Sequence, residues 1–240
     1  MAMNAQTTWQ PIPFEKPQAP PQPPPPFRGE VFPVAAESPA DRFALRQLGA
    51  LVQKIYLAGH RGGHKYVVFS SLENNGVRPW LSARIGELLS QQVSESVCLV
   101  EVDPSARVSF ELAAEYSASH TEGGELTYKA GRNLWVCPCE RFLRADAWSP
   151  RGDLMRLRLS RLRREFGFLV IHAPALEAGD EAVLLGQLSE GLVLVLEANI
   201  TRRAAAVRAS QMLRASGVAL LGTILDQRTF PVPESIYRRV

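Results

Sequence analysis

The chain has 240 residues, of which 46% are apolar and 21% are charged, and its formal net charge is +3. This is ordinary globular composition, sufficient for one large domain with a tail. The charge excess is too small to indicate a nucleic-acid-binding protein, and no apolar run reaches the roughly 18–20 residues of a membrane-spanning helix. Three cysteines without a disulfide framework indicate a reducing compartment. Because the N-terminal sequence lacks the basic start and apolar core of a signal peptide, we expect a cytoplasmic protein.

Residues 1–40 are predicted to form a flexible tail. The stretch KPQAPPQPPPP at residues 16–26 is dominated by proline, which fixes φ and has no N–H to donate to a helix or a sheet. We therefore expect polyproline II or disorder in this tail. It serves either as a spacer, which is the interpretation we favour, or as a docking ligand for an aromatic groove.

An amphipathic helix at residues 41–58 opens the predicted ordered domain, which extends over residues 41–240. Apolar residues recur in this helix at helical spacing, and the sequence HRGGHK then ends it. From Lys65 onward, strand-like and helical runs alternate. The predicted strands are residues 66–70, 96–102, 133–137, 167–173, 191–198 and 217–225. The predicted helices are residues 79–92, 106–118, 151–165, 179–190 and 201–216.

The strand-like runs are nearly continuous Val, Leu and Ile, as in GLVLVLEA. That pattern is typical of strands in a parallel sheet whose two faces are both covered by helices. Together with the strand–helix alternation, it predicts a doubly wound α/β domain with a mostly parallel sheet. Ligands bind such sheets at the carboxyl ends of the strands, so the residues after each strand are the candidates for function.

The segment SSLENNGVRPW follows the first predicted strand. A phosphate-binding loop needs glycines whose N–H groups surround the phosphate, a lysine for the β and γ oxygens, and a Ser or Thr hydroxyl for Mg²⁺. Here Gly76 is the only glycine, helped by Asn74 and Asn75, and no Lys-Ser or Lys-Thr follows. The segment occupies the place of a phosphate loop without the residues that would hold a phosphate.

Ionisable side chains follow two later strands. Glu101 and Asp103 end the second strand in VEVDPS, and His172 ends the fourth in VIHAP. The two carboxylates share one face of an extended segment and could hold a metal or position a water. Alternatively, and by spacing the favoured interpretation, Asp103 caps a helix that begins at Pro104. His172 is a candidate base or metal ligand, although a lone histidine at such a position is more often a hydrogen-bonded structural residue.

Two further groups of residues carry chemistry. Cys137 and Cys139 form a C-x-C pair and Cys98 lies within a strand, but zinc usually needs four ligands, so we interpret all three as structural thiols. The helix at residues 151–165 carries six arginines, which form either a basic face for an anionic lipid or an acidic partner, or an ordinary solvated surface, the favoured interpretation. Its predicted apolar stripe is Leu154, Met155, Leu157, Leu159, Leu162 and Phe166.

From about residue 40 onward the chain resembles the cytoplasmic domain of the bacterial tyrosine kinases of exopolysaccharide and capsule biosynthesis, which are relatives of the chromosome-partitioning and septum-site ATPases. RFALRQLGALVQKIYLAG is similar to that family's leading helix, and YVVFSSLENNGVRPWLSARIGELLSQ to its strand, Walker A loop and helix. SVCLVEVDPSAR is similar to its second acidic motif, FGFLVIHAPAL to its Walker B segment, and LLGTILDQRTFPVPESIYRRV to its last strand and C-terminal tail. The resemblance implies a P-loop NTPase-like fold.

The phosphate loop departs from the family's Gly-Lys-Ser/Thr-Thr sequence. In register, Val77 takes the place of the glycine and Arg78 that of the lysine. Pro79 takes the place of the hydroxyl residue that binds Mg²⁺, and Trp80 that of the next threonine. Arg78 keeps the charge, but a guanidinium does not substitute for an ammonium in a tight phosphate cradle. The vestigial loop comprises Asn75, Gly76, Val77, Arg78, Pro79 and Trp80.

The other motifs depart as well. Glu101 takes the place of the first aspartate of the second acidic motif, and Asp103 matches the second. His172 takes the place of the Walker B aspartate and cannot hold Mg²⁺ through water as a carboxylate does. Asp226 stands where relatives use an asparagine to read the base, and Tyr237 is what remains of the tyrosine-rich tail.

The resemblance therefore implies an inactive relative with no catalytic residue, no metal ion and no cofactor, in which ATP and Mg²⁺ bind weakly or not at all. Its expected partners are a membrane-embedded polysaccharide chain-length regulator, an active kinase paralogue or further copies of itself. We expect one of these partners to place it at the inner membrane, and we expect no nucleic-acid partner. Two alternatives stay open. One is a divergent ATPase or tyrosine kinase that uses Arg78, Glu101 and Asp103, and the other is a nucleotide sensor without hydrolysis.

Overall fold

The computed structural model describes residues 39–57, 63–73, 79–104, 126–143 and 151–226. The predicted proline-rich tail lies outside these residues except for its last two, and the predicted helix at residues 106–118 lies outside them entirely. The described helices are α1 (Pro39–Val52), which continues into a π-helical turn (Gln53–Leu57), α2 (Pro79–Gln92), α3 (Cys139–Phe142), α4 (Arg151–Glu165), α5 (Glu181–Leu188) and α6 (Arg203–Ala215). None of them is both long and apolar enough to span a bilayer.

The described strands form one seven-stranded sheet. They are β1 (Tyr66–Ser71), β2 (Val97–Glu101), β3 (Tyr128–Lys129), β4 (Leu134–Cys137), β5 (Phe168–His172), β6 (Gly191–Glu197) and β7 (Leu220–Asp226). Their spatial order is β3-β4-β2-β5-β1-β6-β7, and every neighbouring pair is parallel except β3 and β4. The predicted doubly wound, mostly parallel sheet is confirmed.

Helices cover both faces of this sheet. On one face, α1, the π-helical turn and α2 bury apolar side chains such as Val52, Ile55 and Ile85. On the other face, α4, α5 and α6 bury side chains such as Leu159, Leu185 and Leu213. The central strands β1, β2 and β5 are buried on both faces, as their near-continuous apolar sequences predict. Successive residues of each strand therefore serve the two cores alternately.

The element bounds differ from the predicted ones mainly at chain reversals. α2 and α4 have the predicted bounds, whereas β7 begins at Leu220 and not at residue 217. Gly217 has a φ of +75°, which ends α6 in a turn that a β-strand cannot include. Val218 then donates its N–H to the carbonyl of Leu213 at 2.9 Å, so the residues before Leu220 complete the helix end.

Two short elements have no counterpart in the prediction. The two-residue strand β3 pairs antiparallel to β4 at one edge of the sheet, and α3 follows β4 as a single helical turn. Elements of two and four residues are too short to show a hydrophobic period. The position of Leu157 was predicted wrongly: this side chain is 65% exposed, whereas the other five residues of the predicted α4 stripe are buried.

Candidate nucleotide site and its surroundings

The crevice at the carboxyl ends of β1 and β5 is the place where this sheet offers a ligand site. These two strands are neighbours, but the helix after β1 is α2 and the helix after β5 is α5, on opposite faces of the sheet. The chain therefore diverges to the two faces of the sheet at this point, which is where sheets of this kind bind their ligands. The vestigial phosphate loop follows β1, and His172 is the last residue of β5.

Two of the predicted site residues stand side by side in the crevice. His172 is in register with Phe69 of β1 on one side and with Glu101 of β2 on the other. Because strand residues alternate between faces, all three side chains lie on the face that α2 covers, together with Leu99 and Val170. Glu101 and His172, which the sequence indicates as separate candidates at two strand ends, are therefore direct neighbours in the sheet.

His172 is completely buried, and neither of its ring nitrogens has a hydrogen-bond partner among the described residues. The end of β5 is hydrogen-bonded to both neighbouring strands, since Val102 donates its N–H to the His172 carbonyl at 2.8 Å and Ala173 donates its N–H to the Phe69 carbonyl at 2.9 Å. Burial lowers the pKa of His172 to about 4, and the nearby Asp103 carboxylate opposes this shift only in part. The imidazole is therefore neutral at pH 7.

The acidic residues beside His172 do not complete a metal site within the described part of the chain. Glu101 is 5% exposed at the end of β2, and Asp103 is half-buried two residues later. No group of three or more His, Cys, Asp or Glu side chains among the described residues is arranged to hold a metal ion. The predicted helix that Asp103 would cap lies outside the described residues, so the capping interpretation stays a prediction.

The chain that leads into the vestigial loop is tied to its neighbours by backbone hydrogen bonds. Leu72 donates its N–H to Val195 of β6 at 3.3 Å, and Glu177 donates its N–H to the Leu72 carbonyl at 3.2 Å. Leu176 donates to the Ser71 carbonyl at 2.9 Å. The pairing of β1 thus continues past Ser71, and the Leu72 amide is already used inside the sheet.

Side-chain hydrogen bonds fix the same segment further. The Ser70 hydroxyl donates to the Pro174 carbonyl at 2.7 Å. The Thr201 hydroxyl donates to the Glu73 carboxylate at 2.8 Å and accepts the Glu197 N–H at 3.0 Å. The start of the loop is therefore anchored to the turns that follow β5 and β6. The sequence gives no signal for the contact between Glu73 and Thr201, which are 128 residues apart.

The remaining predicted loop and base residues are placed only in part. Residues 74–78, with Asn75, Gly76, Val77 and Arg78, lie outside the described residues, while Pro79 and Trp80 form the first two positions of α2. Asp226 ends β7 at the same carboxyl edge of the sheet, but β6 separates this strand from β1. Its assignment as the base-reading position stays a prediction, and Tyr237 lies outside the described residues.

The three cysteines are buried and form no disulfide. Burial is the largest cause that raises the pKa values of Cys98 and Cys137, and the Cys139 thiol donates to the Val102 carbonyl at 3.5 Å. A thiol in such surroundings is neither a ready nucleophile nor a ready metal ligand, in agreement with the structural interpretation.

The arginines of α4 do not form one solvated face. Arg158 donates to the carbonyls of Arg141 and Phe142 at the end of α3. Arg163 donates to the Leu188 carbonyl at the end of α5, and its guanidinium lies 4.8 Å from the centre of the Tyr66 ring. These two side chains join helix ends to the body of the domain, so the interpretation of α4 as a purely solvated basic helix is wrong for them.

Arg163→Met is expected to lower the free energy of unfolding by about 1–3 kcal/mol, because it removes the donor from the partly buried Leu188 carbonyl. Arg164→Met is the matched control, since Arg164 is exposed on the same helix and should change stability by less than about 0.5 kcal/mol. Urea unfolding followed by circular dichroism measures both. Equal effects of the two substitutions would contradict a structural role for Arg163.

Several solved structures share this fold at low sequence identity. The chimeric protein CapA2B2 is 15% identical with a TM-score of 0.62, covering 82% of this chain and 88% of that one. The kinase domain of VpsO is 17% identical with a TM-score of 0.58, covering 80% and 100%. The kinase domain of the Escherichia coli tyrosine kinase Etk is 14% identical with a TM-score of 0.57, covering 80% and 78%. The chain has the bacterial tyrosine kinase fold.

The same fold extends to a wider group of ATPases. The cell division protein MinD of Aquifex aeolicus is 15% identical with a TM-score of 0.50, covering 73% of this chain and 72% of that one. No family profile matches the sequence, and no curated protein matches it. The tyrosine kinase fold is therefore recognised here through its architecture, in agreement with the resemblance of the hydrophobic segments.

Proposed function

We propose that this chain is a catalytically inactive relative of the bacterial tyrosine kinases that acts by binding partners in exopolysaccharide or capsule synthesis or export. The observation that carries the proposal is the position and the neutral state of His172. It stands in the crevice at the position where the resemblance expects a metal-binding carboxylate, and it is buried, neutral and next to Glu101.

A neutral imidazole at this position removes a negative charge from the centre that would hold Mg²⁺. Magnesium prefers oxygen ligands, and phosphoryl transfer in this fold class depends on positioning and on metal-assisted electrostatics. A base with a pKa of about 4 is also poorly matched to proton transfer near pH 7. Together with Val77, Arg78 and Pro79 in the loop sequence, this supports loss of catalysis with retention of the fold.

A domain that retains the kinase fold but has lost phosphoryl transfer can still act by binding other proteins. We propose as partners the membrane-embedded chain-length regulator of the pathway, an active kinase paralogue or further copies of this chain. Binding to the membrane-embedded regulator would place this chain at the inner membrane. No nucleic-acid partner and no bound cofactor are included in the proposal.

Titration of the protein with MgATP in a calorimeter tests the inactive state. We expect no heat of binding at millimolar nucleotide and no rise in melting temperature. The melting temperature is a sensitive check, because a ligand that binds only the native state stabilises it by about 2.7 kcal/mol at one hundred times its Kd. The quadruple variant Val77→Gly, Arg78→Lys, Pro79→Ser and Trp80→Thr is expected to gain nucleotide binding without efficient hydrolysis while His172 remains.

A double variant with only Val77→Gly and Trp80→Thr is the matched control, since it restores space in the loop without the lysine or the hydroxyl. It should bind nucleotide no better than the parent. Micromolar MgATP binding with turnover by the parent would overturn the proposal in favour of a divergent ATPase or kinase. Binding without turnover would favour a nucleotide sensor.

A further inference from the structure

The edge of the sheet beyond α6 carries a groove that the described residues leave open. It lies between α6 and β7, has a volume of about 280 Å³, and is partly open to solvent. Its floor and walls are Leu194, Ala206, Val207, Ser210, Leu220 and Thr223, with Arg203, Gln211 and Arg214 along the helix. This groove is separate from the crevice at the ends of β1 and β5, because β6 lies between β1 and β7.

The lining of the groove allows a helix to pack beside α6. It lies where one more helix beside α6 would cover the exposed outer face of β7. The residues along its α6 side are spaced three or four apart, and Ala206 and Ser210 are small enough to let another backbone approach closely. Val207 is 47% exposed on α6 and Leu225 is 52% exposed on β7, on the face that Thr223 shares. An apolar stripe would bury both side chains.

The charges around the groove specify the flanks of that helix. Arg203 and Arg214 are exposed at its two ends, eleven residues apart on α6, which corresponds to about 16 Å along the helix axis. α6 contains no acidic residue, and neither arginine forms an ion pair with the described residues. These arginines differ from Arg158 and Arg163 of α4, which are used inside the fold.

We infer that the groove between α6 and β7 docks an amphipathic helix of a protein partner, one with an apolar centre and carboxylates at both ends of its contact. The inference deepens the proposed partner-binding role and rests on it. The chain's own residues 227–240, QRTFPVPESIYRRV, fit the groove poorly. They carry three arginines against one glutamate, and two prolines interrupt any helix.

The test uses the full-length protein and three fluorescent 15-residue helical peptides as probes. The peptides share one Leu/Ala stripe and carry Glu, Gln or Lys pairs eleven residues apart. Fluorescence anisotropy at low salt is expected to show the Glu peptide binding about tenfold more tightly than the Lys peptide, since each exposed ion pair contributes modestly. The Gln peptide should lie between them.

Charge reversal on the protein makes the test specific. Arg203→Glu with Arg214→Glu should reverse the order of the peptides, whereas Arg208→Glu, roughly 140° away around α6, should leave it unchanged. No binding of any peptide up to 1 mM, or a preference that Arg208→Glu alters as much as the double reversal does, would overturn the inference. None of these substitutions touches the loop, so the result is independent of the MgATP titration, and the two proposals can fail separately.

Discussion

Lowering the pH from 7 to 4 should cost this protein about 3 kcal/mol of stability through His172 alone, at about 1.4 kcal/mol for each unit of pKa shift. The pKa of His172 falls from 6.5 to about 4 on folding because burial disfavours the imidazolium. A histidine with a lowered pKa binds its proton more readily in the unfolded chain. Its contribution is therefore fully present above pH 6.5 and is lost progressively as the pH falls to 4.

Urea unfolding at a series of pH values measures this loss, with the parent compared with His172→Gln and His172→Leu. Both variants remove the titrating group, and they differ in polarity, so agreement between their pH profiles separates titration from packing. Each should show a smaller decrease in stability between pH 6.5 and 4 than the parent. A profile in both variants that is as steep as the parent's would show that His172 is not the group responsible.

Leu159→Ala is expected to lower the free energy of unfolding by about 2–5 kcal/mol, because the residue is buried in the core between α4, α5 and β5 and its loss leaves a cavity. Leu157→Ala, two residues away on the same helix, should change stability by less than about 0.5 kcal/mol, since Leu157 is 65% exposed. The substitutions are chemically identical, so helix propensity cancels between them.

Urea unfolding at pH 7 measures both variants, with the slope of the transition checked for constancy so that the midpoint reports stability. Similar losses for the two leucines would contradict the observed orientation of α4 and would return Leu157 to the apolar stripe that the sequence predicts. A large loss for Leu157 alone would place α4 in a different rotation about its axis.

The sheet could be predicted from the sequence because its strands carry their own signal. The runs around Val68, Leu99, Val170 and Val193 are apolar on both faces, which only a sheet covered on both sides requires. Leu157 was misplaced because an apolar stripe on a helix has no sharp border in sequence. β3 and α3 were missed because their few residues are held by pairing with β4 and by Arg158, both of which are tertiary contacts.

The strand-end positions of Glu101 and His172 were predictable from the sequence, whereas their role in a site stays a prediction. His172 and Glu101 were expected at carboxyl strand ends, and the register places them opposite each other. The sequence did not indicate that both nitrogens of His172 would lack a hydrogen-bond partner among the described residues. This depends on which atoms of α2 and of the neighbouring strands surround the imidazole in the folded chain. The Glu73–Thr201 hydrogen bond was equally invisible, since it joins two turns that only the folded sheet brings together.

Among the strands that the structure describes, the two border strands differ in how well they resist uncontrolled strand addition. At one border, β3 is only two residues long and ends in the exposed Lys129, which are the usual safeguards against edge-to-edge aggregation. At the other, β7 is seven residues long, carries no charge before Asp226, and has one irregularity in its pairing, opposite Leu192 and Val193 of β6. Overproduction of this protein alone should therefore favour inclusion bodies that nucleate at β7, and co-production with whatever shields that border should raise the soluble yield.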